Sequence, residues 1–180
     1  MLRILIIIMF FCLSVKADQY DQRLENLFSQ LLITENETKI KTIKLKIWDI
    51  WHETNDPKIN ADFFRGIGLM HNGNLKESIK FFSKVIEKNP NFAEAWNKRA
   101  TVFYMLGEYD KSMTDINTTL KLEPRHFGAM DGMILIFLQK GKVDQAVKIY
   151  DEIIKIFPKS KSTLKAKPVS YTHLTLPTKA

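Results

Sequence analysis

The sequence predicts an all-α protein: an α-solenoid of three helix-turn-helix repeats preceded by an N-terminal amphipathic helical pair. Three observations carry that expectation. Pro90, Pro124 and Pro158 stand 34 residues apart. Gly73, Gly107 and Gly141 keep the same spacing of 34. Between them, side-chain types align in columns: Leu75, Tyr109, Val143; Ser78, Ser112, Ala146; Ile79, Met113, Val147; Phe82, Ile116, Tyr150; Val85, Thr119, Ile153. A fixed period of this size is the mark of a stacked helical array.

Each element has a local reason. Glycine suits a turn after a helix, because the residue leaving the helix often takes a left-handed backbone. Proline follows the second helix of each unit because its ring cannot continue one. Small residues at 78, 112 and 146 admit close helix approach, and the larger columns fill the space between helices. The units are 59–92, 93–126 and 127–160, within an array spanning 59–160.

Upstream, residues 18–56 read as the helical pair. Tyr20, Leu24, Leu27, Phe28, Leu31 and Leu32 form one apolar face at helical spacing. Thr34 and Glu37 give a Thr-x-x-Glu capping pattern for the next helix. That helix carries Ile40, Ile43, Ile47, Ile50, Trp48 and Trp51. The pair is expected to pack on the first repeat and cover its open end; a membrane-surface or partner-binding helix is the alternative. Asn55-Asp56-Pro57 closes the segment, since the proline ring disfavours a helical Asp56.

Residues 1–17 resemble a secretory signal peptide. Arg3 precedes ten apolar residues, Ile4–Leu13, and Val15-Lys16-Ala17 places small residues where a signal peptidase reads. The run is half the ~20 residues that span a bilayer. The expected location is outside the cytoplasm, in the periplasm, with membrane contact only if this segment is uncleaved. At the other end, 161–167 reads as the start of a truncated capping helix. Residues 168–180 break every pattern. Pro168–Thr178 back-translates to a string similar to the transposon-end adapter of sequencing libraries; a disordered tail is the alternative.

Charge and composition exclude several classes. The net charge is +7, but eight of the 27 basic residues lie in the N-terminal segment or crowd the last stretch, leaving 19 against 20 acidic ones. The body lacks the basic face that nucleic-acid binding needs. The single cysteine, Cys12, precedes the body, which removes disulfide, cysteine-zinc and cysteine-nucleophile chemistry. No phosphate loop, HExxH pair or GxSxG elbow is present. No catalytic residue, cofactor or metal site is expected. His71 and His126 flank turns and read as solvated loop residues; Asp110, Asp115, Asp151 and Glu152 read as charges on outer helix faces.

The repeat landmarks resemble the tetratricopeptide repeat (TPR) family. Trp96, Ala100, Phe103, Gly107, Tyr109, Ser112 and Pro124 stand where that family places its signature residues. Gly66, Leu69, Gly73, Phe82 and Pro90 match in the first unit, and Phe137, Gly141, Ala146, Tyr150 and Pro158 in the third. Asp62 and Met130 depart from the aromatic at Trp96. Ile134 replaces the expected small residue, so the third unit should pack less closely. Its Phe137, Tyr150, Ile153 and Ile156 are expected to lie partly uncovered without a terminal helix. The signal segment, helical pair and three repeats are similar to small exported bacterial TPR proteins.

The resemblance implies a concave groove lined by the first helix of each unit, holding an extended peptide or a partner helix. The lining it implies includes Phe64, Ile67, Asn97, Lys98, Thr101, Tyr104 and Leu138. Asn97 would bond a peptide backbone, Lys98 a carboxylate, and Phe64, Tyr104 and Leu138 apolar side chains. The family's carboxylate clamp does not carry over, because the third unit supplies Asp131 and Gly132. The implied function is a non-catalytic protein–protein interaction module or scaffold of the bacterial envelope. The alternatives are a fragment of a larger enzyme-associated TPR protein and a membrane-surface protein.

Overall fold

A computed structural model describes residues 21–166, all of whose regular structure is helical: α1 (Gln22–Ile33), α2 (Glu37–Trp51), α3 (Pro57–His71), α4 (Leu75–Lys88), α5 (Ala93–Met105), α6 (Tyr109–Leu122), α7 (Phe127–Gln139), α8 (Val143–Ile156) and α9 (Lys161–Ala166). The expected signal segment and the tail from residue 168 lie outside the described residues.

Helices α3–α8 form three antiparallel pairs, stacked so that α4 meets α5 and α6 meets α7. The periodic glycines do the expected work. Gly73, Gly107 and Gly141 take φ of +75°, +74° and +68°. In each turn the residue after glycine returns its N–H to the carbonyl five residues back: Asn74 to Leu69, Glu108 to Phe103, Lys142 to Phe137, at 2.8–2.9 Å. These bonds satisfy carbonyls that a bare helix end would leave open.

The small-residue column also carries hydrogen bonds. Ser78 Oγ donates to the Gly66 carbonyl and Ser112 Oγ to the Ala100 carbonyl, both at 2.8 Å and both buried. Each serine faces the small residue of its partner helix, so the hydroxyl reaches the backbone directly. In the third unit Ala146 has no hydroxyl and Ile134 holds the helices apart. The contact between α7 and α8 is accordingly less extensive than the other two. Trp96 donates its indole N–H to the Pro90 carbonyl at 2.9 Å, tying α5 to the inter-repeat turn. Arg99 joins three helices: it grips Asp115 of α6 with two bonds of 2.7 and 2.9 Å and donates to Ser83 of α4. Asp115 is therefore buried, not an outer-face charge.

The hairpin of α1 and α2 departs from the sequence-based expectation in two ways. First, Asn36, not Thr34, caps α2, accepting from the Lys39 N–H at 2.9 Å. Thr34 instead closes α1. Glu37 turns away to accept from the backbone of Lys161 (2.6 Å) and the hydroxyl of Ser162 (2.8 Å) at the start of α9.

Second, the hairpin does not cover the first repeat. It covers the third. Leu24, Phe28, Leu31, Ile43, Ile47 and Trp51 share one core with Phe127, Met130, Ile153, Ile156 and Phe157. The first repeat has its own core of Ile59, Phe63, Phe82, Val85 and Phe92. The physical reason lies at the end of the stack. Ile153 and Ile156 face outward from α8, and fully burying such a side chain is worth about 1.5–3 kcal/mol. The amphipathic hairpin supplies that cover, so Ile153 and Ile156 are buried rather than exposed, and Phe137 and Tyr150 are half-buried.

Candidate functional site: a divided groove

The first helices α3, α5 and α7 lie side by side. The 34-residue register repeats along their shared face as Phe63, Asn97, Asp131; then Ile67, Thr101, Leu135; then His71, Met105, Gln139. Helix α2 runs across one end of this face, over the first turns of α5 and α7, and divides it in two.

The covered half is organised around Glu94, in the first turn of α5. Its side chain is fully buried. Oε1 lies 2.9 Å from Lys98 Nζ and 3.2 Å from His52 Nε2. Oε2 accepts from Asn97 Nδ2 at 2.9 Å and from His126 Nε2 at 2.8 Å. One carboxylate thus joins α2, α5 and the turn before α7. Burial opposes its charge, but the Lys98 ammonium and the His126 bond outweigh that and hold the carboxyl well below its ordinary value.

His126 is a correction to the sequence reading, which placed it in solvent. It is fully buried. Its Nδ1 accepts from the Ala129 N–H at 3.1 Å, capping α7, so the ring proton sits on Nε2 and faces Glu94. Trp51 stacks on the ring at 4.1 Å between centroids, and Trp48 meets it edge-on at 5.5 Å. Burial follows from the position of α2, which nothing local to Pro124-Arg125-His126 reveals. Arg125 beside it lies over the Phe28 ring and pairs with Glu25 of α1.

The groove residues expected from sequence fall on both sides of the divide. Asn97 is buried, and its amide is given to Glu94. Lys98 pairs with Glu94, with its ammonium 4.9 Å over the Trp48 ring. Both lie beneath α2. Phe64 sits at the boundary, 54% exposed, its ring 6.5 Å from that of His52. Thr101 is exposed; Ile67 and Tyr104 are half-buried; Leu138 is 38% exposed. With Met105 and Leu135, also exposed, they make an open apolar strip along the far half of the face. The sequence reading missed Glu94, His52 and Trp48 as parts of the groove. The width of the aromatic stripe on α2 is the one signal that pointed there.

The chain matches the family model described as the Psidin N-terminal TPR repeats region over residues 68–176. It belongs to the tetratricopeptide repeat family. It is 34% identical over 137 residues to a TPR repeat-containing protein of Rhizobium etli, covering 76% of this chain and 67% of that one. It is 28% identical over 102 residues to Hsp70-Hsp90 organizing protein 3 of Arabidopsis thaliana, covering 56% of this chain but only 18% of that protein. Among solved structures, the first TPR of Spaghetti bound to the HSP90 peptide SRMEEVD aligns with a TM-score of 0.56 at 17% identity, over 62% of this chain and 89% of that one. A MamA double mutant aligns with a TM-score of 0.54 at 19% identity, over 58% of this chain and 59% of that one. At such identities these likenesses concern the fold. TPR arrays mediate protein–protein interaction and are generally non-catalytic. Among the described residues of this TPR protein, no helix is long and apolar enough to cross a membrane.

Proposed function

We propose that the chain is a non-catalytic interaction module that receives an extended peptide or a partner helix on the open half of its groove. The observation that carries this reading is the exposed apolar strip of Phe64, Met105, Leu135 and Leu138 on the face made by the first helices. Large apolar side chains clustered on the face of the first helices suit an apolar anchor, with the Tyr104 hydroxyl and Thr101 Oγ1, the latter as an acceptor because its proton goes to the Asn97 carbonyl, to orient it. The Spaghetti TPR is bound to a peptide, which supports a peptide ligand here as a class.

The apolar run at Ile4–Leu13 and the small residues at 15 and 17 support export, and hence scaffold work in a bacterial envelope. The mass of the protein recovered from intact cells tests export: loss of residues 1–17 is the expected result, and an intact Met1 in the cytoplasm refutes it. The groove is tested by photo-crosslinking residues placed at Thr101, at Leu138 and, as control, at Lys80 on α4. The expected result is one shared product from 101 and 138, absent at 80 and lost with Leu135→Lys. Equal products at all three positions refute the site.

A further inference from the structure

We propose that the first turns of α5 and α7 form a docking site for an amphipathic helix bearing a tryptophan, whose tethered occupant is the chain's own α2. This half of the groove then opens only when the α1–α2 hairpin lifts off. The inference goes beyond the open-strip reading and needs no outside partner for its test.

The floor beneath α2 is built to admit a tryptophan. Gly128 lies inside the first turn of α7, and glycine is a poorer helix former than alanine. Its backbone does not need glycine, since the positive-φ glycines of the described residues are 73, 107 and 141. The need is steric. A Cβ at 128 would stand 2.7 Å from Trp48 Cζ2 and nearer still to Cη2. The notch is walled by aromatic edges: His126 at 5.5 Å and Phe127 at 5.4 Å, each nearly perpendicular to the Trp48 ring. Lys98, fixed by Glu94, closes the fourth side with a cation over the indole.

The docked contact, although it shares the core of the third repeat, is not fully satisfied. Trp51 Nε1 is buried by docking with no hydrogen-bond partner among the described residues. A buried, unsatisfied donor is unfavourable, and lifting α2 returns it to water. The outer ties of the hairpin to the rest of the chain are the exposed ion pairs of Glu25 with Arg125 and Glu35 with Lys159, together with the bonds of Glu37 to Lys161 and Ser162 at α9. Such pairs contribute little individually and are screened by salt. Release would bare the notch together with Asn97 and Lys98, the two polar groups the sequence assigned to ligand binding.

The test uses the full chain and a fluorescent peptide of residues 36–53, which is α2 with its capping residues and Glu53. Trp48→Ala loosens the tethered helix without touching the floor. The peptide is expected to bind the Trp48→Ala chain saturably by anisotropy. It should bind at least tenfold more weakly to the parent, whose own helix competes at high effective concentration. It should also bind at least tenfold more weakly to Trp48→Ala with Gly128→Ala, in which the notch is filled. No binding to Trp48→Ala, or binding indifferent to Gly128→Ala, overturns the site. Hydrogen exchange on the parent gives the second readout: α2 amides exchanging faster than those of α5 agree with lift-off. Equal exchange of the two helices, or loss of the repeats' helical signal in Trp48→Ala, makes α2 part of the permanent core and overturns the proposal.

Discussion

Replacing Glu94 by alanine removes the partner from four groups at once, His126, Asn97, Lys98 and His52, of which His52 is 25% exposed and can turn to water. His126 is fully buried and Asn97 is 4% exposed, so neither displaced donor reaches water. An unsatisfied buried donor costs about 1–3 kcal/mol, which gives about 2–6 kcal/mol for the two. The side chain of Lys98 is 18% exposed and flexible, so its ammonium can swing outward and adds little. The middle of that range, about 4 kcal/mol, agrees with the 3–5 kcal/mol typical of removing one partner from a buried ion pair. For a chain of this size it corresponds to a drop in Tm of about 8–16 °C. The assay is urea unfolding at pH 7, followed by far-UV circular dichroism and by tryptophan fluorescence, since Trp48, Trp51 and Trp96 report different parts of the array. Repeat arrays can unfold stepwise, so the transition seen by Trp48 and Trp51 is the one to read. The double mutant with Lys98→Ala should be less destabilised than the sum of the single mutants, with a coupling of about 0.5–3 kcal/mol. A loss below about 1 kcal/mol in Glu94→Ala would refute the assignment of Glu94 as the junction between hairpin and repeats.

Three further outcomes are expected. Gly107→Pro should unfold the middle repeat at a cost of at least about 3 kcal/mol, because proline cannot adopt the +74° φ found there; an unchanged thermal melt would sink the turn. Arg99→Ala strands Asp115, which is 3% exposed, and should cost about 3–5 kcal/mol, while Arg99→Ala with Asp115→Ala recovers part of it; additive losses in urea melts would show that the two are not a pair. Glu94 and Glu37 both lie below the ordinary glutamate value of 4.5, Glu94 through its partners despite burial and Glu37 through bonds from Ser162 and the α9 backbone. The stability they contribute is therefore complete above that value and is lost as pH falls through their lowered folded values. Between pH 5 and pH 3 the parent should lose more stability than Glu94→Gln, and parallel losses would count against the buried carboxylate.

The repeats were legible because their determinants are local and recur. A glycine that must be left-handed, a proline that must end a helix, and a serine that must face a glycine or alanine each leave a mark at a fixed spacing. The hairpin left no such mark. Its apolar faces identify α1 and α2 as amphipathic, but apolar surface is not directional. Glu25 meets Arg125 across 100 residues, and neither side chain differs from an ordinary surface charge in the sequence. His126 was misread for the same reason: its surroundings come from Trp48 and Trp51, not from its neighbours in the chain. Gly128 did not stand out either, because Gly66, Gly68 and Gly132 are also glycines inside helices with no turn to make.

The join between the hairpin and the last repeat also sets a schedule for biosynthesis. Helices α1 and α2 leave the ribosome before the repeats, yet the surface that shelters them is made with α7 and α8. At about 5–20 residues per second, the interval between Glu25 and Arg125 lasts about 5–20 s. Throughout it, Leu24, Phe28, Ile43, Ile47 and Trp51 wait without the partner that covers them, while α3–α6 are already able to stack. A nascent chain of this protein therefore presents an unsheltered amphipathic hairpin while α3–α7 are being made. That is the window in which a holding chaperone has something apolar to grasp.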